Sequence, residues 1–328
     1  MFSSTSRMEQ LERRNFSRLH NVVLGQVLGD LESELQTPGG RKAVNCVDSE
    51  GVSPLIWAAR RGDLFAVDTL IRYGAAVSHA QLTGATALYY ASISSSHDGP
   101  HVVRSLLKAG APVNARSVRG ETPLHLCVLY KDDPENFIAP MVEHGADIYA
   151  CDGRDISILD AAIQSDHANN VAFLLEMGVP LNRPSQHLIT GLPAAIINDS
   201  HRVLRLLMEH GADTSVVSKE QKTLLHLAAG YADSKTMEIL TEYGLNVAKE
   251  AKDASGYTAE EIFAKREDKD AAMIDVFGRL VGNLVSGAVV FADIDEKDVT
   301  VIDLSFEHKI EVDSDTEGEQ FFDVEEHP

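Results

Sequence analysis

Thirteen histidines, three cysteines and 50 carboxylates give this 328-residue chain ample material for chemistry. Their spacing does not organise it. Nucleophilic or acid–base catalysis needs a reacting group, a base and an orienting partner in fixed register. The sequence holds no H-E-x-x-H pair, no G-x-S-x-G elbow and no glycine-rich phosphate loop. No pair of histidines stands at metal-ligand spacing with a carboxylate. Cys46, Cys127 and Cys151 show neither metal spacing nor an obvious disulfide pair. They suit a reducing compartment, where cysteine acts as a small apolar filler. The expectation is a protein that is not an enzyme and uses no cofactor and no metal.

Charge narrows the partners. The 29 Lys and Arg against 50 Asp and Glu leave −21, which repels nucleic-acid phosphates. Residues 293–328 hold 14 acidic and 2 basic residues, so −12 sits in the last ninth and −9 in the rest. This reads as a globular body followed by an acidic, largely disordered C-terminal tail. The opening MFSSTSRMEQLERRNFSRLH has no apolar run, so no secretory signal is expected and the chain reads as cytoplasmic or nuclear. The most apolar stretch, 273–292, contains Asp275, Arg279 and Asn283 and is interrupted by Gly287. Each such charge costs roughly 2.5–3.5 kcal/mol at mid-bilayer, so a buried capping helix is expected there and not a membrane span.

The elements that position side chains come from a repeat. Each unit closes on an apolar pair followed by glycine: Leu70-Ile71 to Gly74, Leu106-Leu107 to Gly110, Met141-Val142 to Gly145, Leu174-Leu175 to Gly178, Leu206-Leu207 to Gly211 and Ile239-Leu240 to Gly244. The glycines lie 36, 35, 33, 33 and 33 residues apart. A second phrase leads each unit: SPLIWAA from Ser53, TALYYAS from Thr86, TPLHLCV from Thr122, SILDAAI from Ser157, TGLPAAI from Thr190 and TLLHLAA from Thr223. Thr or Ser caps a first helix, and Pro one place on suits its first turn. The small alanines let that helix lie close to its neighbours. Leu64, Val67, Leu70 and Ile71 give the second helix an apolar stripe.

Two phrases holding one period resemble the ankyrin repeat, whose consensus is T-P-L-H-x-A at about 33 residues. The resemblance covers about Asn45 to Gly244 and implies an all-α solenoid of stacked helix–turn–helix units with β-hairpin fingers. Departures occur. The second unit inserts SISSSHDGP. The third has Pro140 inside its second helix, which should shorten or kink it. The fifth carries Gly191-Leu192-Pro193, a weak helix start. A degenerate seventh unit opens at Gly256-Tyr257-Thr258, with a second helix expected over 271–285. Residues 8–36 read as a helical cap or one worn repeat, with Leu19, Val22, Val23, Val27, Leu31 and Leu35 on its stripe and Thr37-Pro-Gly-Gly40 breaking the chain. The domains are thus 1–44, a cap or degenerate repeat; 45–285, units beginning near 45, 78, 114, 149, 182, 215 and 250; and 286–328, the tail.

By resemblance, a monomeric stack of this kind binds another protein on a concave face built from finger tips and first-helix ends. In this sequence those positions include Arg60, Arg61, Arg116, Arg119, Tyr130, Arg154, Gln164, His187, Lys219, Lys222 and Tyr231. Arg and Tyr often dominate binding energy. The resemblance also gives His125 and His226, in the T-P-L-H phrase, the role of tying neighbouring turns together; His144 and His210, in E-H-G-A-D, are structural too. Asn114 resembles a position hydroxylated in some ankyrin repeats, and a hairpin hydrogen bond is the competing reading. In the tail, Val301-Ile302-Asp303-Leu304 with the acids after it resembles a strand-forming motif for the small ubiquitin-like modifier, unless it is a strand packing on the cap. Gln320-Phe321-Phe322-Asp323-Val324-Glu325-Glu326 resembles the two-phenylalanine acidic-tract motif that binds VAMP-associated proteins of the endoplasmic reticulum. Gln320 and Val324 depart from its consensus, and docking of the two rings on the body stays open. The function expected is a scaffold or adaptor, with a tether at the endoplasmic reticulum as the alternative.

Overall fold

The structure is a computed structural model that describes residues 14–182, 191–245 and 247–282, together with the backbone of a two-residue strand at Val301–Ile302. Three short helices open it: α1 (Arg18–Val23), α2 (Leu31–Gln36) and α3 (Pro38–Ala43). Helix pairs follow: α4 (Pro54–Arg61) with α5 (Leu64–Arg72), α6 (Ala87–Ile93) with α7 (Gly99–Lys108), and α8 (Pro123–Tyr130) with a π turn (Pro134–Ile138) running into α9 (Ala139–Glu143). Next come α10 (Ile158–Gln164) with α11 (Ala168–Glu176), α12 (Leu192–Ile197) with α13 (His201–Glu209), α14 (Leu224–Tyr231) with α15 (Ser234–Tyr243), and α16 (Ala259–Lys265) with α17 (Ala271–Gly282).

First helices stack on first helices from α4 through α16, and second helices on second helices, so one apolar core runs the length of the stack. Local chemistry explains the element ends. Ser53, Thr86, Ser157 and Thr258 accept a backbone N–H at the start of α4, α6, α10 and α16. Gly74, Gly110, Gly145, Gly178, Gly211 and Gly244 all take positive φ just past the second helices. Pro140 falls in the first turn of α9, directly after the π turn, and the second helix of that unit is broken into π and α parts. The start of α12 has no side-chain cap, since Gly191 stands where the other units place Ser or Thr.

The N-terminal segment, read as a helical cap or one worn repeat over 8–36, is described from residue 14 and is not one continuous helix. Residues 24–30 leave the helix, with Gly25 at φ 69°, and Val27 drops off the stripe to 37% exposure. Asp30 then restarts the chain by capping α2. Thr37 breaks α2 but also caps α3, accepting from Gly40 N with Pro38 in the first turn. Because α1 packs on α4 and α2 on α5, the pair takes the place of one more unit at the end of the stack.

Between units the chain forms hairpin fingers, closed by single bridges at Ala80–Thr86, Cys151–Ser157, Val217–Thr223 and Lys252–Thr258. The sixth finger also holds β1 (Val217–Ser218), which pairs in parallel with β2 (Val301–Ile302), Val217 opposite Val301. At the C-terminal end, α17 buries Met273, Val276, Phe277, Leu280 and Val281, and Phe277 stacks on Phe263 at 4.0 Å between centroids. Leu284 and Val285 lie outside the described residues. No helix among the described residues is long and apolar enough to cross a membrane. The three cysteines are free thiols, and full burial of Cys127 pushes its thiol up to about 12.

Candidate functional site

The fingers are held by their own side chains. The buried carboxylates of Asp48, Asp152 and Asp253 each accept two backbone N–H groups across the finger turn: Glu50 and Val52, Arg154 and Ile156, Ser255 and Tyr257, all at 2.8–2.9 Å. In the sixth finger Ser218 Oγ takes that place, accepting from Glu220 N and Lys222 N. Fingers then bond tip to tip. Leu82 N donates to Glu50 O, Val118 N to Thr83 O, Gly153 N to Arg119 O and Ala254 N to Glu220 O, at 2.7–3.4 Å. Asn45, Asn114 and Asn182 clamp the base of the row. Asn114 Nδ2 donates to Gly145 O at 2.8 Å and its Oδ1 accepts from Asp147 N at 2.9 Å. Both ends of Asn114 are thus used in the hairpin hydrogen bonding that competed with the hydroxylation reading.

Arg60, Tyr130, Gln164 and Tyr231 stand at the C-terminal ends of α4, α8, α10 and α14, the first helices of the first, third, fourth and sixth units. The Arg60 guanidinium lies over two rings, 5.5 Å from Trp57 and 5.1 Å from Tyr90. Tyr130 and Tyr231 are exposed. The arginines are more committed than their type suggests. Arg61 Nη1 donates to Val23 O at 2.8 Å, tying the N-terminal unit to the next. Arg116 Nη1 donates to Gly120 O and Cys151 O, and so links two fingers. Arg119 pairs with buried Glu121 at 3.2 Å and Arg154 with buried Asp152 at 3.0 Å. Glu121 also accepts from Tyr89 Oη at 2.9 Å; burial and that carboxylate push the phenol well above its ordinary value. Lys219 is exposed and Lys222 half-buried. His187 lies outside the described residues. So do Asp303, Leu304, Phe321, Phe322 and Asp323, and of Val301 and Ile302 only the strand is described.

A family model described as ankyrin repeats, three copies, matches residues 30–117. The crystal structure of the human ASB11 ankyrin repeat domain superposes with a TM-score of 0.58 and 26% identity, covering 69% of this chain and 98% of that one. The chain is an ankyrin-repeat protein. The Bcl-3 ankyrin repeat domain shares the fold at TM-score 0.56 and 24% identity, covering 70% of this chain and all of the other. Among curated proteins, Rabankyrin-5 of Mus musculus is 37% identical over 114 residues, 31% of this chain and 10% of that protein. The E3 ubiquitin-protein ligase KEG of Arabidopsis thaliana is 38% identical over 92 residues, 28% of this chain and 6% of the ligase. The palmitoyltransferase AKR1 of Saccharomyces cerevisiae is 34% identical over 68 residues, 21% and 8% respectively. The chain therefore spans at most a tenth of these relatives, and the ligase and transferase activities in their names belong to those proteins.

Ankyrin repeats form a protein–protein interaction domain, and the histidines show how this one holds its units in register. His125 Nδ1 accepts from Thr122 N at 3.2 Å while Nε2 faces Ile156 O of the next finger at 3.4 Å. His226 repeats this with Thr223 N and Tyr257 O, at 3.2 and 3.1 Å. His20 does the same with Ser17 N and Val52 O, at 3.3 and 3.0 Å. Ser17-Arg-Leu-His20 is thus the worn T-P-L-H phrase of the N-terminal unit, and the Ser-x-x-His spacing was its legible trace. Burial holds all three imidazoles below the ordinary histidine value, with the carbonyl each one faces pulling the other way.

A pH dependence follows. With the folded value below the unfolded one of about 6.5, the unfolded chain binds the extra protons in the interval between them. The stabilisation is complete above about pH 6.5 and is lost as pH falls below it, at up to about 1.4 kcal/mol per pH unit per histidine. Urea unfolding at pH 7.0, 6.0 and 5.0 should show steadily lower stability, with a shallower slope in His125→Gln. A flat profile over that range would remove this role for the imidazoles.

Two further features involve residues that the repeat pattern does not single out. Leu82 and Val118, at successive finger tips, are 77% and 75% exposed. Asp199, His201 and Asp233 come together at the turns between helices of two adjoining units, their ligand atoms all within 4.8 Å.

Proposed function

We propose that the protein is a non-enzymatic scaffold or adaptor of the cytoplasm or nucleus that works as a monomer. It captures a protein partner across the finger tips and first-helix ends. The observation that carries this is the finger row. Backbone bonds join tip to tip, so Leu82 and Val118 are presented on a rigid rail at no ordering cost. Arg116, Arg119, Tyr130 and Tyr231 flank or follow them, a mixture of apolar, aromatic and guanidinium groups suited to a binding centre. The matched parts of the ligase and transferase relatives are short, 6% and 8% of those proteins.

A second reading rests on β2. Strand Val301–Ile302 extends the edge of the sixth finger in parallel, next to Lys219 and Lys222, and the tail it belongs to carries −12. The tail then acts as an occupant of the partner's site, held at high effective concentration by its own chain. The tether at the endoplasmic reticulum through Phe321 and Phe322 is a separate use of the same tail.

One binding assay tests both readings. Leu82→Glu with Val118→Glu should lower partner affinity at least tenfold and leave the melting temperature within about 2 °C, because exposed side chains contribute little to stability. Charge reversal at Arg116 is a poorer probe, since it also cuts one bond within its own finger and one to the next finger. Unchanged capture by the tip variant would move the binding surface elsewhere. Residues 1–292 should bind more tightly than the full chain at low salt. The gap should close at 1 M salt, where the Debye length falls to about 3 Å. Equal affinities at low salt would dispose of the occluding tail.

A further inference from the structure

We propose that Asp199, His201 and Asp233 form a binding site for a divalent transition-metal ion of the zinc class, bridging the fifth and sixth repeats. The geometry is specific. His201 Nε2 stands 3.0 Å from both Oδ1 and Oδ2 of Asp233, aimed between the two oxygens. A tetrahedral zinc ion with ligand bonds of about 2.0–2.2 Å sets its nitrogen and oxygen donors roughly 3.3 Å apart, within a few tenths of an ångström of the His201–Asp233 spacing, and the Asp199 ligand atom lies within 4.8 Å of both. Asp199 Oδ1 accepts from Asp233 N and from Thr236 Oγ1, both at 2.8 Å, and Asp233 Oδ1 accepts from Thr236 N at 2.7 Å. The bonds that fix the two carboxylates are therefore made at Oδ1, and Oδ2 of each is the donor the ion takes. The result is a prearranged set of one imidazole and two carboxylates with its supporting hydrogen bonds in place.

The donor chemistry selects the metal. An imidazole with carboxylates suits zinc and its neighbours in the first transition row, whereas calcium and magnesium take all-oxygen sets. Two carboxylates and a neutral imidazole balance the charge of a divalent ion. All three residues are half-buried, which leaves a fourth position open to water. The neighbouring turn carries an imidazole too, His167, but its Nδ1 is taken by Val128 O at 2.7 Å, and Asp132 there accepts from Asn169 Nδ2 and Asn170 N.

Asp199 and His201 belong to the fifth repeat and Asp233 to the sixth, so the ion acts as a clamp across one interface of the stack. The fifth repeat is the unit whose first helix lacks a side-chain cap, and it gains most from such a clamp. The site does not depend on the binding role of the fingers. The test uses the full chain with zinc chloride and cobalt chloride as probes. Calorimetry should show one saturable zinc site, zinc should raise the melting temperature, and cobalt should give the visible absorption of a tetrahedral N/O site. Asp199→Asn keeps the Oδ1 acceptor, so its metal-free melting temperature should match the parent while its zinc affinity drops at least tenfold. His201→Gln should lose the cobalt spectrum. No zinc binding by the parent chain, or equal zinc affinity in the parent and both variants, would overturn the proposal.

Discussion

Replacing Gly120 with alanine is expected to cost about 2–5 kcal/mol and to weaken partner capture at the same time. Gly120 sits at φ 78°, in the left-handed region. A Cβ there would stand 2.6 Å from Gly153 N and 3.2 Å from Asp152 C, both backbone atoms of the next finger. Left-handed geometry costs a non-glycine residue roughly 1–2 kcal/mol, and overpacking roughly 1–3 more. The crowded atom matters in itself, since Gly153 N–H donates to Arg119 O and joins the third finger to the fourth. Alanine must push these fingers apart and break the rail that presents Leu82 and Val118. Gly145 supplies the control. It has φ 85°, but its Cβ would meet nothing within 4 Å, so Gly145→Ala should cost only the conformational part. Urea unfolding of the two variants separates the contributions. Equal costs would mean that the finger contact is not tight.

The repeat was legible because its signals are local. A capping Thr or Ser, a small pair in the first helix and a glycine after the second each meet a demand of the backbone within a few residues. The N-terminal segment read as either a helical cap or one worn repeat, because Ser17 and Arg18 stand in place of Thr and Pro and the loop over 24–30 interrupts its apolar stripe. The binding surface was less legible. Residue type names a candidate but not its freedom: Arg61 looks like a binding arginine and is spent on Val23 O. Arg154 could have been discounted from the Asp152-x-Arg154 spacing, since the two side chains meet across one finger turn. Leu82 and Val118 carry no mark that distinguishes an exposed leucine or valine from a core one; only the finger geometry does. Asp199 and Asp233 lie 34 residues apart, about one period, so they meet only once the units are stacked.

That stacking leads to the other large effect, at Leu225. Its side chain is 1% exposed, on the α14 helix that packs between α12 and α16. Leu225→Ala should cost about 2–5 kcal/mol, the spread depending on how far the site collapses into the space left. Where that loss is felt says more than its size. A repeat array is close to one-dimensional, its stability the sum of unit terms and nearest-neighbour interfaces. The substitution weakens the sixth unit and its interfaces with the fifth and seventh. The seventh unit then has only its own small core, built around the Phe263–Phe277 stack, and no further repeat is described beyond α17 to hold it. Amide exchange should therefore accelerate first in α14 through α17, while α4 through α10 keep their protection. Leu55→Ala, at an equally buried position in α4, should reverse the order and open the N-terminal units first. Uniform loss of protection in both variants would mean that the array unfolds as a single block. In that case the coupling between interfaces exceeds the few kcal/mol removed, and a clamp between the fifth and sixth repeats would act on the whole protein at once.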